Sequence, residues 1–173
     1  MMPLTLKQSG LRWLWLVPLV IVLDQLTKLA ILHYLPYGGP GINVTPFFNI
    51  VHVYNKGAAY GFLADQPGWQ RWFFSLFAIG VSAAMLVALR RQAASQWWSN
   101  IAFVLVIGGA IGNLIDRLAY GHVVDFLLFY WQGHFFPAFN IADCAITVGA
   151  AMIVLDGLRK KPHPVPNHSE SKS

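Results

Sequence analysis

Six aspartates stand in a chain that carries few charges, and four of them, Asp24, Asp116, Asp125 and Asp143, lie in or beside long apolar stretches. A carboxylate in or near hydrocarbon is costly unless it is paired or hydrated, so each is a candidate for chemistry. Asp125 is flanked by Val123, Val124, Phe126 and Leu127, with no Lys or Arg in the four residues that follow. Asp143 ends the run Phe139-Asn140-Ile141-Ala142-Asp143 and has no basic neighbour either. Two carboxyls close together in a poorly hydrated site cannot both ionise easily; one keeps a proton, the other accepts one, and the pair titrates as a unit. Aspartic proteases activate water in this way. Spacing alone leaves two readings open, such a dyad or separate structural roles, with Asp143 serving as a cap at a helix start.

The other polar residues have plainer readings. Asp24 and Lys28 are four residues apart, so they can pair on one helix face beside Thr27. Asp116 adjoins Arg117, with Asn113 and Gly109 one and two turns before the arginine, and Arg117 is suited to tying helix ends or loop carbonyls. Gly108 and Gly112 have the spacing that permits close helix contact. His122 three residues before Asp125, with His134 nearby, is a weak metal signal without an HExxH motif. A Ser–Lys nucleophile would need Ser75 to meet Lys28, which already has Asp24. Cys144, the single cysteine, forms no internal bridge and reads as a small buried hydrophobe. No metal or cofactor is expected.

The elements that position these groups are apolar helices. The chain has 173 residues, 56% hydrophobic and 11% charged, against about 25% charged in a soluble domain. With mean hydropathy +0.51, this excludes a soluble globular enzyme, a disordered chain and a disulfide scaffold. The basic balance of +5 reflects membrane topology rather than nucleic-acid binding. Four stretches are long enough to cross a hydrocarbon core: about 11–35, 72–89, 97–118 and 141–158. The first follows Lys7 and Arg12 as a signal peptide would, but no small-x-small cleavage site comes after it and it reads as retained.

Charge asymmetry sets the orientation. One face receives Lys7, Arg12, Arg90, Arg91, Arg159, Lys160, Lys161 and Lys172; the other receives Lys56, Arg71 and Arg117. Eight against three predicts both termini in the cytoplasm. The third helix then runs outward and the fourth returns, which puts Asp125 and Asp143 at the outer ends of adjacent helices. The outer segments 36–71 and 119–140 are themselves apolar and rest on the membrane surface. Within the first, 42–54 reads as one or two strands interrupted by Pro46, the start of an outer β segment over about 42–63 that offers backbone groups to an extended peptide. Residues 1–161 form one membrane-embedded domain; 162–173, rich in Pro, Ser and His, form a disordered cytoplasmic tail.

Five stretches, in order, resemble the bacterial lipoprotein signal peptidases (signal peptidase II). They are Asp24-Gln25-x-Thr27-Lys28; Tyr54-Asn55-Lys56-Gly57-Ala58-Ala59-Tyr60-Gly61-Phe62; Gly108-Gly109-Ala110-Ile111-Gly112-Asn113-Leu114-Ile115-Asp116-Arg117; Gly121-His122-Val123-Val124-Asp125-Phe126; and Phe139-Asn140-Ile141-Ala142-Asp143. Lys56 and Cys144 are small departures that leave both aspartates in place. The resemblance implies a four-helix inner-membrane aspartic peptidase with a small outer β-platform. Such an enzyme removes signal peptides from prolipoproteins, on the amino side of a diacylglyceryl-modified cysteine, and is inhibited by globomycin. It further implies Asp125 and Asp143 as the catalytic pair, with Asn55, Gly108, Asn113, Arg117, Asn140 and Ala142 shaping the site and Asp24 and Lys28 as structural polar residues. The expected partners are lipidated prolipoproteins and membrane lipid, with no nucleic acid, and the expected state is a monomer.

A non-enzymatic class competes with this: a small channel or transporter subunit using the aspartates as an ion path. It calls for acidic residues spread through the bilayer, whereas three gather at the outer end and only Asp24 is deeper.

Overall fold

The computed structural model describes residues 5–57 and 68–159. A short 3-10 helix, Gly10–Trp13, leads into α1, Leu16–Tyr34. Two strands follow, β1 (Ile42–Thr45) and β2 (Phe48–Asn55), then α2 (Trp69–Arg91) and α3 (Trp97–Tyr120). Strands β3 (Val123–Trp131) and β4 (His134–Phe135) precede α4 (Ile141–Arg159). All four helices are long and apolar enough to cross a membrane. Residues 58–63 of the expected β segment, the end of the second matching stretch and the tail 162–173 lie outside the described residues.

The helix bundle is built around α3, which packs against α1, α2 and α4. Its glycines make this possible. A Cβ on Gly108 would come within 2.7 Å of the Val20 side chain, and one on Gly112 within 2.7 Å of Asp24 Oδ2, so this face lies directly on α1. One residue round the helix, a Cβ on Gly109 would run into the Ala142 carbonyl of α4. Leu26 and Leu29 of α1, Leu76 and Phe77 of α2 and Val154 and Leu158 of α4 point outward and exposed. An apolar exterior over a polar interior is the arrangement that lipid selects.

The four strands form one antiparallel sheet in the order β1-β2-β3-β4. Sequence reading found the β1–β2 region, with Pro46 in the turn between the strands, but left β3 unassigned. The near-continuous apolar run around Asp125 hides the alternation that would mark a half-buried strand. Among the described residues both sides of β2 are paired, by β1 and β3, so the backbone groups that this region has to offer an extended peptide are those of β1, one strand further from Asp125. Gly121 adopts φ 80° to end α3, and its N–H donates to the Arg117 carbonyl. This left-handed cap turns the chain into β3 within two residues.

Candidate active site

Strand register brings the first pair of functional side chains together. Asp125 lies opposite Val53 and Asn55 opposite Val123, so Asp125 and Asn55 are diagonal neighbours on one sheet face. Asn55 Nδ2 donates to Asp125 Oδ2 at 3.0 Å, while Asn55 Oδ1 accepts from the Gly57 N–H.

The second group is assembled at the start of α4. Asn140 Oδ1 accepts from the Asp143 N–H at 2.9 Å, and Asp143 Oδ2 takes a long 3.4 Å bond from the Asn140 N–H. This is a reciprocal capping box in which Asn140 is the cap and Asp143 the third helical residue. Because its oxygen caps the helix, Asn140 must turn its Nδ2 outward, where it donates to Asp125 Oδ1 at 2.7 Å. The cap expected of Asp143 is therefore shared with Asn140, and the same residue links helix start to strand. On α3, Asn113 Nδ2 donates to Asp143 Oδ1 at 2.7 Å, and Asn113 Oδ1 accepts from Asn140 Nδ2. The two carboxyls thus share a frame of three neutral amides.

Below them lies a buried ionic cluster. Lys28 Nζ is 2.8 Å from Asp24 Oδ2 and 2.9 Å from Asp116 Oδ2, and all three side chains are nearly sealed from solvent. Asp116 pairs with Lys28 on α1 rather than with its neighbour Arg117. The remaining acceptors are used: Asp24 Oδ1 takes the Ala142 N–H and Asp116 Oδ2 the Val124 N–H. Sequence reading gave Gln25 no role, yet its Nε2 donates to Asp116 Oδ1 at 2.9 Å and to the Gly112 carbonyl. The available signal was a neutral polar residue inside an apolar span.

Arg117 donates to the Asn113 and Gly57 carbonyls and stacks over Phe74, in keeping with the helix-tying reading. Gly108 and Ala142 are packing positions: Gly108 admits α1, and Ala142 supplies its backbone N–H to Asp24. The competing chemistries find no geometry. Ser75 Oγ donates to the Arg71 carbonyl, and the His122 ring stacks on Tyr54 with centroids 3.8 Å apart. Among the described residues no cluster of three His, Cys, Asp or Glu is placed to hold a metal.

Two cavities meet at Asp143. One, of about 330 Å³, runs past Asn55, Arg117, Val123 and the 136–139 segment. The other, about 220 Å³, is lined by Phe74, Phe77, Ala78 and Val81 of α2 and by Val106 and Ala110 of α3. Asn113, Arg117, Asp143 and Ile146 border both. Burial, followed by the charge of Asp143, pushes the Asp125 carboxyl up to about 7, against the partial relief given by Asn55 and Asn140. An arrangement of this kind can hold one proton near neutrality beside a second carboxylate that opens on a cleft.

The comparisons with known proteins agree. Residues 16–159 match the family described as "Signal peptidase (SPase) II". The chain is 60% identical over 160 residues to the lipoprotein signal peptidase of Aeromonas hydrophila subsp. hydrophila, covering 92% of this chain and 96% of that one. It is 60% identical to the lipoprotein signal peptidase of Tolumonas auensis over 158 residues, covering 91% and 96% of the two chains. Against the lipoprotein signal peptidase of Vibrio cholerae it is 54% identical over 159 residues, covering 91% and 93%. A bacterial membrane enzyme solved by the in meso method at 2.3 Å superposes with a TM-score of 0.78 at 31% identity, covering 95% of this chain and 99% of that one. With its helices, its sheet and its sequence all matched at this level, the chain belongs to the signal peptidase II family of proteases.

Proposed function

We propose that this chain is the aspartic endopeptidase that removes signal peptides from diacylglyceryl-modified prolipoproteins, cutting on the amino side of the lipidated cysteine. The observation that carries the reading is the meeting of Asp125 and Asp143 on a frame of neutral amides, beside a cleft and, among the described residues, with no cation bonded to either. Asp143 is the base. It stands in the first turn of α4, where the helix dipole favours a carboxylate, and Lys28 and Arg117 are within electrostatic reach. Asp125, with its raised proton affinity, is the acid.

In the reaction Asp143 takes a proton from water as the oxygen adds to the scissile carbonyl carbon. Asp125 then gives its proton to the departing amide nitrogen, and the C–N bond breaks. The products are a signal peptide with a new carboxyl end and a lipoprotein with a free cysteine amine. The proton gained by Asp143 returns to Asp125 through solvent, which restores the resting pair. The apolar cavity against α2 suits an aliphatic signal-peptide segment or an acyl chain, and the more polar one suits the extended residues around the cut.

The remaining parts of this reading are the setting. The enzyme is an inner-membrane, multi-pass monomer with both termini cytoplasmic and its dyad at the outer side. Residues 1–161 act as one peptidase domain, and Asn55, Asn113, Asn140 and Arg117 shape the site. The test is cleavage by the purified protein of a signal-bearing peptide with and without a diacylglyceryl group on its cysteine. The lipidated peptide alone should be cut, leaving the modified cysteine at the new amino end, at a rate that chelators do not change. Absence of cleavage, equal cutting of the unmodified peptide, or chelator sensitivity would overturn the proposal.

A further inference from the structure

The ionic cluster is joined to the dyad by a single side chain. Lys28 Nζ donates to Asn113 Oδ1 at 3.0 Å, and Asn113 Nδ2 donates to Asp143 Oδ1 at 2.7 Å. An ammonium has three donors and no acceptor, so it admits only the oxygen of the Asn113 amide. The Asn140 amide donates to the same oxygen at 3.2 Å and reinforces that choice. Asn113 therefore has one allowed orientation, with its NH2 group against Asp143. An NH2 group can only donate, so Oδ1 is held as an acceptor oxygen of Asp143 and any proton that Asp143 carries sits on Oδ2.

We infer that Lys28 is a positioning residue for the reaction: by fixing the Asn113 amide it keeps Asp143 ready to act as base, without touching substrate. This rests on the dyad reading above and extends it to a side chain that its buried ion pairs would otherwise fully explain. Without Lys28, only the longer 3.2 Å bond from Asn140 Nδ2 holds that orientation, and the Asn113 amide turns more readily. Its oxygen would then face Asp143 Oδ1, which is tolerated only when Asp143 is protonated and so unable to accept from water. The titratable and charged groups that interact with Asp143 are Lys28 of α1, Arg117 of α3, Asp125 of β3 and the adjacent Cys144; Asp24 and Asp116 act on Cys144 and Arg117 in turn. Of the cations, Lys28 alone bonds the amide that donates to Asp143. Arg117 is bonded to the Asn113 and Gly57 carbonyls instead.

The experiment is the pH profile of cleavage by purified protein, scored per folded molecule. Removing Lys28 alone would strand two buried carboxylates, so the variant is Lys28→Gln with Asp116→Asn, which keeps the net charge of the cluster. We expect the acid limb of the kcat profile to move to higher pH, the alkaline limb to stay, and kcat to fall about tenfold with KM within about twofold. A purely structural lysine would lower abundance and leave the profile of the folded fraction unchanged, and that result overturns the inference. Lys28→Gln with Asp24→Asn repeats the test should the first pair fail to accumulate.

Asn113→Ala keeps the whole ionic cluster and supplies an independent arm. It should move the acid limb in the same direction, and in its background the Lys28 change should add nothing further. A parent-like profile for Asn113→Ala, or full additivity, overturns the inference whatever the paired variants do. Failure of the dyad itself is distinguishable: Asp125→Asn and Asp143→Asn would then stay active, whereas failure of the inference leaves those two inactive and the acid limb fixed.

Discussion

Two acid pairs lie on either side of Asn113, equal in residue type and close in burial, and they behave as different chemistry. Asp24 and Asp116 share the Lys28 ammonium and spend their remaining acceptors on backbone N–H groups and Gln25. Asp125 and Asp143 receive hydrogen bonds from the amides of Asn55, Asn113 and Asn140 and, among the described residues, from no cation. Asp116 and Asp125 are each 1% exposed, so burial does not separate these two, although Asp143 is only half-buried beside its cleft. The partner does. An ammonium fixes a carboxylate as an anion and removes it from proton traffic. A neutral amide orients the carboxylate yet leaves its proton affinity open to burial and to the neighbouring acid.

The largest effect comes from breaking the dyad. Asp125→Asn and Asp143→Asn should each lower turnover by about a thousandfold or more while the protein still accumulates and folds, measured by peptide cleavage and by a cooperative thermal unfolding transition in detergent. Near-normal turnover in either would erase the distinction between the pairs. The ionic cluster should fail in the opposite manner. Asp24→Ala or Asp116→Ala removes one of the two carboxylate partners of a buried cation, which costs about 3–5 kcal/mol of stability. Abundance should drop while the molecules that do fold retain most of their turnover. Normal abundance with no turnover would place the cluster in the chemistry itself.

A smaller change probes how tightly α1 is held against the cluster. Gly112→Ala adds a Cβ within 2.7 Å of Asp24 Oδ2, and little else can move because Asp24 also takes the Ala142 N–H. The expected cost is about 1–3 kcal/mol, read as a lower melting temperature. Gly80→Ala, where a Cβ meets nothing within 4 Å, is the matched control and should be neutral. Equal effects would mean that α1 and α3 are not packed as closely as Asp24 requires.

These pairs were unequally legible in the sequence. Spacing of four along one helix displays Asp24 and Lys28 as partners, because helical periodicity is local. That Asp116 joins them depends on α3 crossing α1 at Gly108 and Gly112, a contact the glycine spacing permits without specifying its register. Asp125 was conspicuous as an unexplained carboxylate, but the strand that carries it was not, since Val-Val-Asp-Phe-Leu-Leu lacks alternation. Its alignment with Asn55 depends on pairing between β2 and β3, which are far apart in the chain. Asn140 stood in a recognised motif, yet its double duty became visible only once its oxygen was seen to cap α4. The spans were readable from composition because each is decided by its own residues.

Titration sharpens the comparison with the smallest effect. The folded protein holds the Asp125 proton to about pH 7, well above the ordinary carboxyl value of 3.8. A carboxyl whose folded value is raised contributes stability below its unfolded value and loses that contribution as pH rises through the folded one. Asparagine does not titrate, so Asp125→Asn should match the parent in thermal stability near pH 4, gain on it between about 4 and 7, and keep a constant advantage above that range. Melting temperatures at pH 5 and pH 8 measure the difference, and the advantage must be larger at pH 8. In the parent, turnover should fall as pH climbs past about 7, when the acid has lost its proton, with the apparent value belonging to the coupled pair. A stability gap that is flat with pH, or larger at pH 5, would overturn the raised proton affinity of Asp125, and the two acid pairs would then be told apart by their partners alone.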